Sequence, residues 1–214
     1  MKSKRSFWYQ QQRERMVAAQ LEGRGIRDMR VLAAMRKVPR HLFVPLAYRL
    51  SAYEDRPLPL GPEQTISQPY VVAYMLECLE LNGQDEVLEI GTGSGYETAV
   101  LAELTALVCS MEIDERLNRR AGRCLKALGF ENVCLRLGNG YEGWPEKDTS
   151  FSKIILSAAC SSIPRALLAQ LKVGGKMILP FGDFDQHLLL LEKTDKGLKS
   201  KELGAVRFVR MKEP

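Results

Sequence analysis

Two acids and a run of glycines are the residues of this chain whose types and spacing carry chemistry. Val87-Leu-Glu-Ile-Gly-Thr-Gly-Ser-Gly-Tyr-Glu-Thr-Ala-Val100 reads as a short apolar strand, a glycine turn and the start of a helix over residues 96–104. Gly91, Gly93 and Gly95 supply positive-φ freedom and room for a ligand beside the backbone. Unpaired N–H groups in the helix's first turn then face the loop and make a seat for an electron-rich ligand. The spacing selects among ligands. A dinucleotide fingerprint, G-x-G-x-x-G, needs its third glycine where Tyr96 stands, and no G-x-x-x-x-G-K-[ST] phosphate loop is present. The second acid, Glu112, ends the strand-like run Val108-Cys-Ser-Met about twenty residues past the glycines, where a carboxylate can accept from two ribose hydroxyls. A plain structural turn with Glu112 on a solvated edge is the alternative, and two linked signals weigh against it.

Residues of this kind need a frame, and the chain supplies alternating strands and helices. Residues 13–22 and 29–37 carry helical spacing of apolar residues, with Asp28 as N-cap of the second stretch, and Pro39 ends that helix. Residues 40–45 form a short element with Leu42 and Phe43 packed inward. Residues 51–69 hold four prolines within Tyr53-Glu-Asp-Arg-Pro-Leu-Pro-Leu-Gly-Pro-Glu-Gln-Thr-Ile-Ser-Gln-Pro69 and no sustained periodicity, which predicts a long functional loop. A helix follows over residues 70–81. Ser67 lies just before it, where its hydroxyl caps the helix or touches a ligand; sequence physics alone favours the cap.

Past the glycines, residues 117–128 read as a basic amphipathic helix closed by Gly129, and residues 133–137 as a strand. Gly138-Asn-Gly140 follows at that strand's carboxyl end, where open α/β sheets bind ligands, so Asn139 is either an adenine contact or a plain turn residue. A strand over residues 154–159, a helix over 164–171 and a strand over 176–180 entered through Gly174-Gly175 continue the alternation. Residues 188–192 and 206–210, flanking Asp195-Lys-Gly197, suggest an antiparallel pair at the sheet edge.

The bulk composition is that of one globular domain: 214 residues, 45% hydrophobic and 27% charged. The net charge of +5, from 31 basic and 26 acidic residues, is spread along the chain and marks no nucleic-acid patch. No apolar run approaches the roughly eighteen residues of a membrane span, and the basic start leads into Gln10-Gln-Gln-Arg13, so a cytosolic protein is expected. Five cysteines in mostly apolar contexts and two histidines favour buried thiols over disulfides and argue against a metal site.

The Glu89-x-Gly-x-Gly-x-Gly95 pattern resembles motif I of class I S-adenosylmethionine (SAM) methyltransferases. Arg40-His-Leu-Phe-Val-Pro, Tyr53-Glu-Asp-Arg-Pro-Leu-Pro, Gln64-Thr-Ile-Ser-Gln-Pro, Gly140-Tyr-Glu-Gly-Trp-Pro and Val206-Arg-Phe-Val extend this to a specific resemblance, over nearly the whole chain, to the protein-L-isoaspartate O-methyltransferase family. The resemblance implies a Rossmann-like α/β fold with a mostly parallel, doubly wound sheet, an antiparallel C-terminal edge and an N-terminal helical cap. It divides a single domain into cap and active-site loop (residues 1–80) and SAM-binding core (81–214). It makes Thr65, Ile66 and Ser67 the active-site loop, with Ser67 the catalytic serine. Gln64, Glu89, Gly91, Thr92, Gly93, Ser94, Gly95, Glu112, Ile113, Asn139 and Gly140 then form the cofactor site. The implied partners are isoaspartyl-containing peptides and proteins, with no nucleic acid or membrane, and the implied state is a monomer.

Some positions depart from the family pattern: Pro62-Glu63 in the loop before Gln64, Asn139 for an aspartate, Ser152 for an aspartate and Arg210 for a proline. They bear on substrate affinity and turnover, not on fold. A class I methyltransferase with another substrate and a SAM-binding module without catalysis are the competing readings.

Overall fold

The computed structural model describes residues 4–146 and 148–212. A two-stranded antiparallel ribbon, β1 (Leu58–Gly61) and β2 (Gln64–Ile66), precedes a seven-stranded sheet. The sheet comprises β3 (Glu86–Ile90), β4 (Leu107–Glu112), β5 (Val133–Leu137), β6 (Phe151–Leu156), β7 (Leu171–Phe181), β8 (Gln186–Thr194) and β9 (Gly197–Val206). Their order is β5-β4-β3-β6-β7-β8-β9; β3 to β7 pair parallel, and β8 and β9 add an antiparallel edge. From β3 the chain moves outward through β4 and β5, then crosses to β6 on the other side. The order therefore reverses at β3, and a crevice opens beyond the carboxyl ends of β3 and β6.

Among the described residues, six α-helices accompany the sheet: α1 (Lys4–Arg15), α2 (Met29–Lys37), α3 (Pro69–Leu79), α4 (Tyr96–Ala102), α5 (Glu115–Ala127) and α6 (Arg165–Gln170). Adjacent strand residues serve opposite faces, as the two-residue period of a strand requires. Val87, Val108, Ile155 and Ile178 pack with Leu76, Val100 and Leu117, whereas Leu88, Cys109, Ile154 and Met177 pack with Leu167. Sequences buried on both faces are why these strands read as continuous apolar runs. Met16, Leu21, Leu32 and Met35 of the N-terminal helical region join the first cluster, so cap and sheet share one buried core.

Local chemistry sets the helix ends. Asp28 accepts from the Arg30 N–H and starts α2, as expected. Asp114 accepts from the Arg116 and Leu117 N–H groups, starting α5 two residues before its apolar pattern begins. The first helix starts at Lys4 and widens into a π-type turn over Met16–Leu21, where a plain helix is expected.

Leu42, expected to pack inward with Phe43, is exposed, while Phe43 is buried. Two predicted regions also differ. Residues 51–69 contain the β1–β2 ribbon, with Leu58 and Ile66 paired and buried and Glu63 at the turn with φ 54°. At the C-terminus the hairpin and its turn are as expected, but the second strand is Gly197–Val206, not residues 206–210. Both faces of β9 are largely solvated, so it carries no apolar alternation. The apolar residues after it run as extended chain held to Ala159, whose N–H donates to the Val209 carbonyl and whose carbonyl accepts from the Met211 N–H.

Candidate active site

A cavity of about 460 Å³ occupies the crevice, within the roughly 300–1,000 Å³ of small-molecule sites. Most of its lining forms four walls, residues 64–68, residues 90–94, residues 111–113 together with 138–140, and residues 205–212, and Glu97 and Ser157 line it as well. Gln64, Thr65, Ile66, Ser67, Gly91, Thr92, Gly93, Ser94, Glu112, Ile113, Asn139 and Gly140 thus come together on one space. Glu89 and Gly95 do not line it.

The glycine turn is fixed by its neighbour strand. The Gly91 N–H donates to the Met111 carbonyl at 2.8 Å, and the Gly93 N–H donates to Glu112 Oε2 at 2.7 Å. Gly91, Gly93 and Gly95 have φ of 99°, 53° and 83°, as the turn expectation requires. A side chain built at Gly93 would meet no atom nearer than 3.8 Å, so the space before it belongs to the cavity. Gly95 serves packing instead, because a Cβ there would stand 3.1 Å from Ala121 Cβ; its bareness lets α4 start against α5.

Glu112 is 5% exposed and accepts three backbone N–H groups, from Gly93, Ile113 and Asp114. It ties the turn to the end of β4, and its Oε2 retains acceptor capacity toward a hydroxyl. Glu89 lies within β3, fully buried, with Oε2 accepting from Thr98 Oγ1 at 2.6 Å and Ser110 Oγ at 2.5 Å. Burial, with the Glu97 charge adding to it, raises its pKa well above the carboxylate range.

At the end of β5, Asn139 caps a short 3-10 turn over Gly140–Glu142, its Oδ1 accepting from the Tyr141 N–H at 3.0 Å. The turn role and a cavity position therefore coincide in one residue. Gly140 admits nothing larger, since a Cβ would lie 2.2 Å from Ile90 Cγ2.

The opposite wall hangs on one buried cation. Arg40, fully buried, donates from Nε to the Ala52 carbonyl and from Nη2 to the Ser67 carbonyl, both at 2.7 Å, and lies over the Tyr96 ring. Burial without a carboxylate partner lowers its pKa to about 10, so it stays charged at neutral pH. Ser67 does not cap α3: the N-cap is Gln68, with no side-chain cap bond, and Pro69 at N1 needs no acceptor for an N–H. Ser67 lines the cavity with no hydrogen bond to its hydroxyl among the described residues, while its carbonyl is clamped.

The fourth wall is pinned similarly by Gln186, which exchanges bonds with Phe208: its Nε2 donates to the Phe208 carbonyl, and its Oε1 accepts from the Phe208 N–H. Arg210 leaves this segment to lie 4.7 Å over the ring of Phe184, which is 92% exposed. Residues missed in the sequence are therefore Arg40, Glu97, Ser157 and Gln186. A buried arginine or glutamine has no spacing signature; Glu97 stands two places after Gly95, just beyond the glycine pattern.

Of the departures, Ser152 lies away from the cavity and donates to Asp85 Oδ1 at 2.7 Å. Glu63 occupies the exposed ribbon turn, next to the cavity-lining Gln64.

A doubly wound sheet with its glycine turn, its acid-ended second strand and a cavity at the switch point defines a Rossmann-like class I SAM methyltransferase. The family model for protein-L-isoaspartate(D-aspartate) O-methyltransferase (PCMT) matches residues 11–213. Protein-L-isoaspartate O-methyltransferase 1 of Syntrophobacter fumaroxidans is 50% identical over 202 residues, covering 94% of each chain. The protein-L-isoaspartate O-methyltransferase of Gloeobacter violaceus is 50% identical over 196 residues, covering 91% of this chain and 95% of the other. A solved protein-L-isoaspartate O-methyltransferase superposes with a TM-score of 0.84 at 30% identity, over 94% of this chain and 66% of that longer one. A Plasmodium falciparum protein assigned to PCMT, solved with S-adenosyl-L-homocysteine, gives 0.81 at 25% identity, over 94% and 98%. This chain belongs to the protein-L-isoaspartate(D-aspartate) O-methyltransferase family.

Proposed function

We propose that this chain transfers the methyl group of SAM to the α-carboxylate of L-isoaspartyl residues in damaged proteins, the ester then collapsing to a succinimide. The observation that carries this reading is convergence: residues 65–67 and 206–210 line one cavity together with the glycine turn, in a chain half identical to named isoaspartate methyltransferases. The walls fit the cofactor. Gly93 leaves open space beside the backbone, Glu112 Oε2 retains acceptor capacity, and Asn139 presents an amide.

Bound SAM supplies an electrophilic methyl group on a positively charged sulfur. No residue here has to remove a proton, because a substrate α-carboxylate, with a pKa near ~3.5, is already ionised at neutral pH. The protein's work is alignment, which can lower a barrier by roughly 7–11 kcal/mol. Ser67 donates its hydroxyl to the substrate carboxylate while Arg40 fixes the Ser67 backbone. Thr65 and Ile66 form the strand edge beside the substrate, and residues 206–210 bound it from the other side.

Tritiated methyl transfer from SAM to an isoaspartyl peptide, its aspartyl isomer and bulk RNA tests the reading. Label is expected in the isoaspartyl peptide alone. Equal labelling of both peptides would overturn the substrate; labelled RNA would point to another class I activity; SAM binding without transfer to any acceptor would mean a module without catalysis. In the same reading the protein acts as a cytosolic monomer, with no nucleic-acid or membrane partner. Among the described residues, no helix is long and apolar enough to cross a membrane.

A further inference from the structure

One ionisable group on the cavity wall is left without a role by the mechanism above. Glu97, the second residue of α4, is 8% exposed. Its Oε1 accepts from Ser157 Oγ at 2.6 Å, and its Oε2 is buried with no hydrogen-bond partner among the described residues. Both Glu97 and Ser157 line the cavity. A buried carboxyl oxygen without a partner is costly, so its presence beside a ligand space calls for a ligand group.

The surroundings say which kind. From β3 comes Glu89, whose Oε1 is also unpartnered, and Glu112 at the end of β4 adds repulsion to Glu89. The turn after β6 contributes the Ser157 hydroxyl. The buried cation Arg40 faces the Tyr96 ring and two carbonyls, not this pair, and no described lysine, arginine or histidine bonds to either carboxyl. Acids gathered without a cation make a place for a positive ligand.

We propose that Glu97 is a cofactor-binding residue whose carboxylate meets the positive charge of SAM, and that binding expels a proton from it. The inference rests on the SAM reading of the cavity. Burial pushes the Glu97 carboxyl up to about 7, partly offset by the Ser157 bond to its charged form. Below that pH the empty site holds the acid as COOH. A cation in the cavity favours the carboxylate, so the O–H bond breaks, the proton leaves to buffer, and by linkage the cofactor binds more tightly once the proton is gone.

Calorimetric titration of the full chain with SAM, near pH 6 in phosphate and in bis-tris, reads the proton directly from the difference in heats. Release of most of one proton is expected, with affinity falling up to about tenfold between pH 7.5 and 6. Glu97→Gln should abolish the release, flatten the pH dependence and weaken binding at pH 7.5. Ser157→Ala removes the bond favouring the charged form, so it should move the affinity midpoint upward; this variant tests the idea if Glu97→Gln does not fold. S-adenosylhomocysteine keeps the ammonium but lacks the sulfonium. Release with both ligands supports the inference and assigns the ammonium; release with SAM alone supports it and assigns the sulfonium. SAM binding with no proton exchange, or with exchange unchanged in Glu97→Gln, would overturn it. Failure of SAM to bind at any pH would overturn the cofactor reading itself, and this inference with it.

Discussion

The two sides of the cavity are built by opposite means. On the cofactor side, the glycine turn emerges from the buried strand β3, and its N–H groups are held by the adjacent β4 through Met111 and Glu112. On the substrate side, short ribbon and extended chain are held by side chains distant in sequence: Arg40 grips Ser67 from 27 residues away, and Gln186 grips Phe208 from 22. In the proposed reading, periodic, close-packed elements place the cofactor, whereas a few buried polar side chains place the acceptor. Damage to the first side should therefore appear as lost SAM affinity, and damage to the second as lost kcat/KM at unchanged SAM affinity.

The largest effect should come from Gly93→Val. Its φ of 53° is strained for a β-branched residue, and the new side chain would project into the cavity, not into protein. Binding of SAM should fall by more than about a hundredfold, close to 3 kcal/mol, while backbone strain costs stability only about 1–3 kcal/mol. Near-native SAM affinity by calorimetry in a folded variant would break the proposed division at its firmer side.

Arg40→Met tests the other side. It leaves the Ala52 and Ser67 carbonyls without their donor, at about 1–3 kcal/mol for each unsatisfied group, offset by no longer burying a charge. With the Ser67 backbone released, kcat/KM for an isoaspartyl peptide should drop tens of fold, and the SAM dissociation constant should move less than about threefold. Equal losses in both would mean that Arg40 serves the whole site through Tyr96.

The cofactor side also carries an electrostatic load that pH should expose. The Glu97 carboxyl sits at about 7 in the fold against an ordinary value of 4.5. A raised acid pKa adds no penalty below the unfolded value, a growing one between the two values, and the full one above the folded value. The ligand-free protein should thus lose stability as pH rises from about 4.5 to 7, by up to about 3 kcal/mol from this group. Thermal melts should show that slope reduced in Glu97→Gln; an unchanged slope would assign the load elsewhere.

Ser67→Ala should separate chemistry from folding. Loss of a cap costs about 1 kcal/mol, but Ser67 caps nothing, since Gln68 precedes the helix without a side-chain bond. The melting temperature should stay near native while kcat/KM falls about tenfold or more. An early melt with full specific activity would restore the structural role.

The same contrast explains what the sequence can and cannot tell. The strands β3, β4 and β6, the buried later half of β7, the glycine turn and Glu112 are legible because burial on both faces writes apolar runs and close backbone approach requires glycine, whereas the half-exposed β5 shows through its alternating Val133, Leu135 and Leu137. The β1–β2 ribbon is not, because strands of four and three residues are too short to show a period and three of the four prolines of the loop stretch sit in or beside them. Leu58 and Leu60 flanking Pro59 are the signal available. Periodicity places the C-terminal strand too late because the apolar Val206, Phe208 and Val209 line the cavity, while β9 itself contains Lys199-Ser-Lys-Glu202 and is largely solvated. A tight Asp195-Lys196 turn requires the second strand to begin at Gly197, as it does, whatever its polarity. Arg40 and Gln186 leave no pattern, since a single buried polar side chain repeats with nothing.

The smallest effect should come from Asn139→Asp, which compares a turn role and a ligand role in one residue. Asparagine and aspartate are about equally good caps, so the Oδ1 bond from the Tyr141 N–H survives the exchange and the turn stays in place. Toward the cofactor, the asparagine carbonyl retains a second acceptor site, and its NH₂ adds a donor that aspartate lacks. Replacing a neutral acceptor with a charged one is worth on the order of 1 kcal/mol, hence a change in SAM affinity of no more than about tenfold. The melting temperature should stay within about a degree or two, the stability change at such a conservative cap being a few tenths of a kcal/mol. The natural protein should be active and the variant only modestly different. If the natural protein transferred no methyl group and this one exchange restored transfer, the fault would lie at the end of β5, with the acceptor side intact: the cofactor side, for all its regular packing, would then be the one that a single polar atom can switch off.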